Sequence, residues 1–203
     1  MIEVHHLGAS RSRRITWLCE ELGVEYKLIP YKRDTTTNLA PPELKAIHPL
    51  GKAPVIRDDG EVIHESGAII EYLIRKYGNG KLAPPVGTKD YNRYMQFLHY
   101  AEGSAMLPLM LNLYVTRLGD GGTPLRPRIQ SETQNHLGYL DSQIAGREFF
   151  VGNALTGADI NLSFVAQVGA AFNGKEAFPN LTKFIDRMEA RPAYQRAMTK
   201  GGP

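Results

Sequence analysis

Apolar and polar positions follow one pattern over the first eighty residues and another after them. "MIEVHHL" reads as a strand. "SRRITWLCEELG" then sets Ile15, Leu18, Cys19 and Leu22 at i, i+3, i+4, i+7, which predicts a helix with a glycine stop at Gly23. "EYKLIPYKR" is a second strand, and "PPELKAIHP" a short helix between prolines. "APVIRDDGEVI" predicts a hairpin turning at Asp59-Gly60. "ESGAIIEYLIRKYG" closes the half as a helix whose Ile70, Leu73, Ile74 and Tyr77 make one apolar face. The order β-α-β-α-β-β-α predicts a parallel pair followed by an antiparallel one, and so a small mixed sheet flanked by helices.

"GNGKLAPPVGT" has no period, and after it the strand signals stop. "KDYNRYMQFLHYAEGSAMLPLMLNLYVTRL" predicts a long helix, bent or interrupted near Pro108. "RPRIQSETQNHLGYLDSQIAG", "GADINLSFVAQVGAAF", "NLTKFIDRMEA" and "PAYQRAM" predict further helices. The fold class is α/β plus all-α: residues 1–80 form an α/β domain, 81–88 a linker, and 89–203 an all-helical C-terminal domain. In "LTGADI", Thr156 and Asp159 stand at capping-box spacing with Leu155 and Ile160 placed as a staple, which makes Asp159 a structural carboxylate.

Composition narrows the function classes. At 203 residues with 42% hydrophobic and 22% charged, the chain is long enough for two small cores. Its net charge of +3 is mild and no lysine-arginine block occurs, so nucleic acid is not an expected partner. Cys19 is the only cysteine, which excludes an internal disulfide, a Cys-x-x-Cys pair and a thiolate zinc cluster. Its helical spacing points it into the core. His5 and His6 look like a metal pair, but neighbours on a strand face opposite sides and share an ion poorly, so no metal is expected. No apolar run reaches spanning length and the N-terminus carries no leader, so no membrane partner and a cytoplasmic location are expected.

Pro54 stands at the mouth of the strand "VIRD", and proline is kept out of central strands. Either this strand lies at a sheet edge, or its opening backbone is reserved for something else. "HPLGKAPVIRDDGEVIHESGAIIEYL", "HHLGASRSRRITWLCEELGVEY" and "FFVGNALTGADI" together resemble the cytosolic glutathione transferases, and the likeness spans essentially the whole chain. It is nearest to bacterial and fungal members with serine-rich openings, around the theta, delta and nu classes. The resemblance implies a thioredoxin-like N-terminal domain, an all-α second domain, a homodimer and a detoxification role. It also implies a cis peptide bond before Pro54.

Glutathione is then the expected co-substrate. Carried over by resemblance, the backbone of Ala53, ahead of Pro54, would pair with the tripeptide's cysteinyl group by strand addition. Ser66 and the helix start would receive the γ-glutamyl carboxylate, and Glu65 would accept from the ligand amine. Lys52 would meet the glycyl carboxylate. The plainer alternatives are an edge-strand proline, ordinary capping by Ser66 and a solvated lysine. For the thiol, the family keeps a hydroxyl donor in the loop that here reads "GASRSRR". With Arg13 matched to the arginine that follows the delta-class serine, the serine's place holds Ala9. Ser10 is the expected donor, with Arg11 and Ser12 as supports or substitutes; the alternative is that Ser10 or Ser12 caps the helix.

Tyr100, Ser104, Leu107 and Leu111 fall at helical spacing along the long helix, where a co-substrate pocket between the domains is expected; a domain core or dimer contact is the alternative. The expected activity is transfer of the glutathione thiol to an apolar electrophile. Alternatives are glutathione-dependent disulfide or peroxide reduction, and a glutathione-binding regulatory or structural protein with little turnover.

Overall fold

The structure is a computed structural model and describes residues 1–201. The first half forms β1 (Ile2–Leu7), α1 (Arg13–Leu22), β2 (Tyr26–Tyr31), α2 (Glu43–Ile47), β3 (Val55–Asp58), β4 (Glu61–His64) and α3 (Ser66–Tyr77). The sheet has the order β2-β1-β3-β4. β1 runs parallel to β2, and the β1–β3 and β3–β4 pairs are antiparallel. This is the mixed sheet that the alternating pattern predicts. Asp59 and Gly60 both take positive φ, 48° and 84°, as a two-residue hairpin turn requires for its twist to match the strands.

The α1 face read from spacing is the buried one: Ile15, Leu18 and Cys19 are inaccessible to solvent. Ile69, Ile70 and Leu73 of α3 are equally buried. Asp58, at the end of β3, anchors α3. Its Oδ2 accepts from Tyr77 Oη at 2.6 Å, Lys76 Nζ at 2.8 Å and Tyr72 Oη at 2.9 Å. Those partners recur along one side of the helix.

The second half forms α4 (Lys89–Tyr100), α5 (Met106–Thr116), α6 (Arg126–Ile144), α7 (Gly157–Asn173), α8 (Pro179–Glu189) and α9 (Pro192–Gly201). The break in the long helix comes ahead of Pro108, in a π-helical turn over Ala101–Ala105. Proline cannot donate to the carbonyl four residues back and its ring crowds it; the widened turn takes up that misfit just upstream. A 3₁₀ turn over Gly119–Leu125 joins α5 to α6.

Thr156 and Asp159 make the expected capping box at α7. Asp159 also accepts from the Phe150 backbone N–H at 2.8 Å, so it ties the preceding loop to the helix. Phe150 packs against Phe97 and Phe184 at ring distances of 5.2 and 5.1 Å. A side chain at Gly169 would lie 2.6 Å from Leu137, so α6 and α7 approach through this glycine.

The chain divides into two compact units, Ala83–Met188 on one hand and Met1–Leu82 with the segment from Glu189 onward on the other. The last helix, expected with the second half, packs on α1 instead. Trp17 meets Tyr194 edge-on at 5.2 Å, and Ala197 is fully buried. Arg191 pairs with Glu21 at 2.6 Å, while Arg196 and Lys200 both pair with Glu20. The acidic end of α1 and the basic face of α9 supply the match.

Candidate active site at one end of the sheet

Strand register assembles the candidate site. His5 of β1 lies opposite Val55, and Val55 lies opposite His64 of β4. The loop after β1, the Ala53-Pro54 pair before β3 and the Glu65-Ser66 step after β4 therefore emerge at the same sheet end. Separations of more than forty residues collapse there, because an antiparallel strand begins where its neighbour ends.

β3 is hydrogen-bonded on both sides, so Pro54 is not an edge-strand proline. The Ala53-Pro54 peptide is cis, and Pro54 is buried while Ala53 is half-buried. The ladder starts at Val55, which leaves Ala53 outside it. Lys52 is exposed.

Ser66 is the first residue of α3 and is buried. The first bond of the helix runs from Ile69 N–H to the Glu65 carbonyl at 2.9 Å. The N–H groups of the opening turn have no intrahelical acceptor, which makes this end a natural anion seat. Glu65 precedes it with φ 71°, a conformation that costs a non-glycine residue free energy and clusters at functional sites.

The loop after β1 is organised around Ser12. Its Oγ accepts from the Leu7 backbone N–H at 3.2 Å and lies 3.0 Å from His6 Nδ1 and 2.8 Å from Ser10 Oγ. The Ser12 N–H in turn donates to Ser10 Oγ at 3.2 Å. Ser12 occupies the cap position of α1 but its side chain makes no cap bond; its hydroxyl is spent inside the loop. Ser12 is fully buried, Ser10 is 8% exposed, and Arg11 beside them is half-buried. Ala9 takes φ 49° and turns the chain at this point.

Sequence reasoning misses two residues here. Arg33, just beyond β2, donates from Nε to the Gly8 carbonyl at 3.0 Å and from Nη2 to the Ala9 carbonyl at 3.2 Å, so it holds the loop from outside. The only hint is that β2 runs parallel beside β1 and ends at the same level. His6 enters the sequence reading only as half of a metal pair. His5 and His6 indeed diverge: His5 Nδ1 lies 2.8 Å from Tyr31 Oη, whereas His6 faces Ser12. Burial lowers the pKa of both. Among the described residues no group of three or more His, Cys, Asp or Glu is arranged to hold a metal. Cys19 is buried and its thiol is pushed up to about 12, chiefly by burial, which leaves it a core residue.

The four residues of the long-helix stripe do not lie on one straight face. Tyr100 precedes the π turn and Ser104 lies within it, and an extra residue in the winding rotates the helix beyond it by roughly 100°. Tyr100 Oη is 2.6 Å from His136 Nδ1, and its pKa is pushed up to about 12 by burial and by Tyr139. Leu107 and Leu111 are exposed on α5.

Residues 10–76 match the family model described as the glutathione S-transferase N-terminal domain, and residues 106–192 match the C-terminal domain of the same family. Glutathione S-transferase 3 of Schizosaccharomyces pombe is 32% identical, over 98% of this chain and 88% of its own. The crystal structure of a glutathione S-transferase from Actinobacillus pleuropneumoniae superposes with a TM-score of 0.91 at 36% identity, over 99% of this chain and 93% of its own. A sphingomonad glutathione S-transferase complexed with glutathione superposes at 0.80 with 25% identity, over 98% of each chain. Two matched domains in order, on a thioredoxin-like sheet followed by a helical unit, show that the chain belongs to the glutathione S-transferase family.

Proposed function

We propose that this glutathione S-transferase binds glutathione at the sheet end where Ala53, Glu65-Ser66 and Ser10 converge, and activates its thiol for attack on an apolar electrophile, to which the tripeptide becomes joined through sulfur. The observation that carries this is the register placing those three segments together. Ala53, outside the ladder, pairs its backbone with the cysteinyl group; the start of α3 with Ser66 takes the γ-glutamyl carboxylate; Glu65 accepts from the amine; Lys52 meets the glycyl carboxylate. Ser10, with Arg11 and Ser12 beside it, donates a hydrogen bond to the sulfur. That donor stabilises the thiolate over the thiol and so enriches the nucleophile at neutral pH. The thiolate then forms the new carbon–sulfur bond with the electrophile's electron-poor carbon while that carbon's bond to the leaving group breaks, as chloride departs from a chloronitrobenzene, and the thiol proton passes to solvent. Apolar co-substrates are favoured by the exposed Leu107 and Leu111 on α5, with Tyr100 and Ser104 on the preceding turns.

A homodimer in the cytoplasm, where glutathione is kept reduced, completes this reading. Calorimetry with glutathione is expected to show binding that Ser66→Ala weakens about tenfold. Ser10→Ala is expected to raise the pKa of the bound thiol by about 1 to 2 units and to slow conjugation of a chloronitrobenzene. Turnover of a small disulfide without any turnover of the chloronitrobenzene would replace transfer by reduction. Light scattering on the same preparation should give twice the chain mass, and cell fractionation should recover it with cytoplasmic markers.

A further inference from the structure

Arg33 stands just past the end of β2, and its guanidinium is spent on backbone carbonyls. Nε donates to Gly8 at 3.0 Å, Nη2 to Ala9 at 3.2 Å and Nη1 to Asn38 at 3.0 Å. The first two bonds form a fork from one edge of the planar group, which suits two neighbouring acceptors. The third fixes the guanidinium from its other side. Asn38 belongs to a turn closed by the Asp34 N–H on the Leu39 carbonyl and the Asn38 N–H on the Asp34 carbonyl, both at 2.9 Å. Inside that turn Asp34 Oδ1 accepts from the Thr36 and Thr37 N–H groups at 3.0 and 2.7 Å. The fork therefore reaches the loop after β1 from an ordered support.

What the fork holds is the chain just ahead of Ser10. The Gly8 and Ala9 carbonyls lie on either side of the Ala9 α-carbon, so two bonds to one rigid group fix the backbone rotation there. That rotation is an unfavourable one. Ala9 takes φ 49°, in the left-handed region that a residue with a Cβ disfavours. Ala9 is exposed, so packing of its methyl group does little to hold it. One residue later Ser10 is buried, with its Oγ 2.8 Å from Ser12 Oγ. Relaxing Ala9 to negative φ would redirect the chain at the step where it turns inward, and Ser10 Oγ would leave that place. A strained residue kept so by an outside group, directly beside the proposed chemistry, is an arrangement that clusters at functional sites.

We propose that Arg33 is a positioning residue of the transferase reaction: by clamping the Gly8 and Ala9 carbonyls it keeps Ala9 left-handed, and so sets Ser10 Oγ where the glutathione sulfur needs its donor. This rests on the assignment of Ser10 as that donor. The test titrates the ultraviolet absorbance of the bound glutathione thiolate, at saturating glutathione, in the full chain. It compares wild type with Arg33→Met, Ser10→Ala and the double variant Arg33→Met/Ala9→Gly. Methionine fills similar space without the donors. Glycine enters the left-handed region without strain, so it returns part of what the clamp supplied but nothing of a lost charge. The expected result is a thiol pKa about 1 unit higher in Arg33→Met, with the dissociation constant of glutathione nearly unchanged at low pH. The double variant should take back about half of that rise or more. A wild-type pKa in Arg33→Met beside a raised one in Ser10→Ala overturns the role of Arg33 alone. A rise that Ala9→Gly leaves untouched overturns it as well, because it reduces Arg33 to a nearby positive charge. So does loss of glutathione binding in Arg33→Met, since the residue then serves the whole ligand and not its thiol. An unchanged pKa in Ser10→Ala removes the Ser10 assignment itself, and the role of Arg33 with it.

Discussion

At the scale of single residues, the most demanding position is Asp159. Its carboxylate is fully buried and accepts from the Phe150 N–H, the Thr156 N–H and the Thr156 hydroxyl at 2.7 to 2.8 Å. Burial raises its pKa from 3.8 to about 6, against the pull of those bonds. A raised carboxyl pKa means that the folded chain holds the proton more tightly than the unfolded one. This contribution to stability is complete below pH 3.8 and is lost as pH rises through 6. Asp159→Ala leaves three buried donors unmatched and should cost about 1–3 kcal/mol. In urea titrations the wild-type advantage should be largest near the acid end of that window and shrink above it. Asp159 was legible in the sequence because a capping box has a fixed local spacing. His6 and Arg33 were not, because their partners lie across a turn or on a neighbouring strand, where no periodicity marks them.

At the scale of elements, the hairpin and α3 are joined through Asp58. Burial pushes its carboxyl up, but the bonds from Lys76, Tyr77 and Tyr72 win and hold its pKa below the ordinary value. A lowered carboxyl pKa stabilises the fold above the unfolded value, about 3.9, and the contribution is lost as pH falls through the folded one. Asp58→Asn should therefore flatten the acid limb of the stability curve and lower Tm by about 3–8 °C at neutral pH, read by circular dichroism. The same hairpin delivers Glu65-Ser66 to the site, so the variant should also bind glutathione more weakly. Most elements could be read from the sequence, since amphipathic spacing and the Asp59-Gly60 turn are local signals. The π turn could not be placed, because proline announces a misfit without saying which neighbouring turn will widen to absorb it.

At the scale of the molecule, the first unit is built from both ends of the chain. Trp17, the only tryptophan, donates to Glu21 at 2.9 Å, and Glu21 is held in turn by Arg191. Removing the chain from Arg191 onward strips α1 of the surface that covers Trp17. The truncated chain should show red-shifted tryptophan emission and should fail to bind glutathione, although α9 supplies none of the proposed ligand contacts. Native emission together with normal glutathione affinity would show that the sheet unit needs no such cover. This return was invisible in the sequence. α9 reads as one more amphipathic helix, and nothing local says which of two cores it will join.

The return of α9 also has a consequence for the order in which the first unit is completed. α9 follows the sheet in the chain by the whole of the helical unit, so the proposed glutathione-binding end of the sheet is made long before the helix that lies against His6. The outer face of α1 stays bare while the whole helical unit is being made. A nascent chain that has not yet made α9 thus carries the proposed ligand-binding residues while the surface of α1 around Trp17 is uncovered. Glutathione binding is expected only once α9 has docked on α1, so a frameshift just ahead of α9 should be as damaging as an early one.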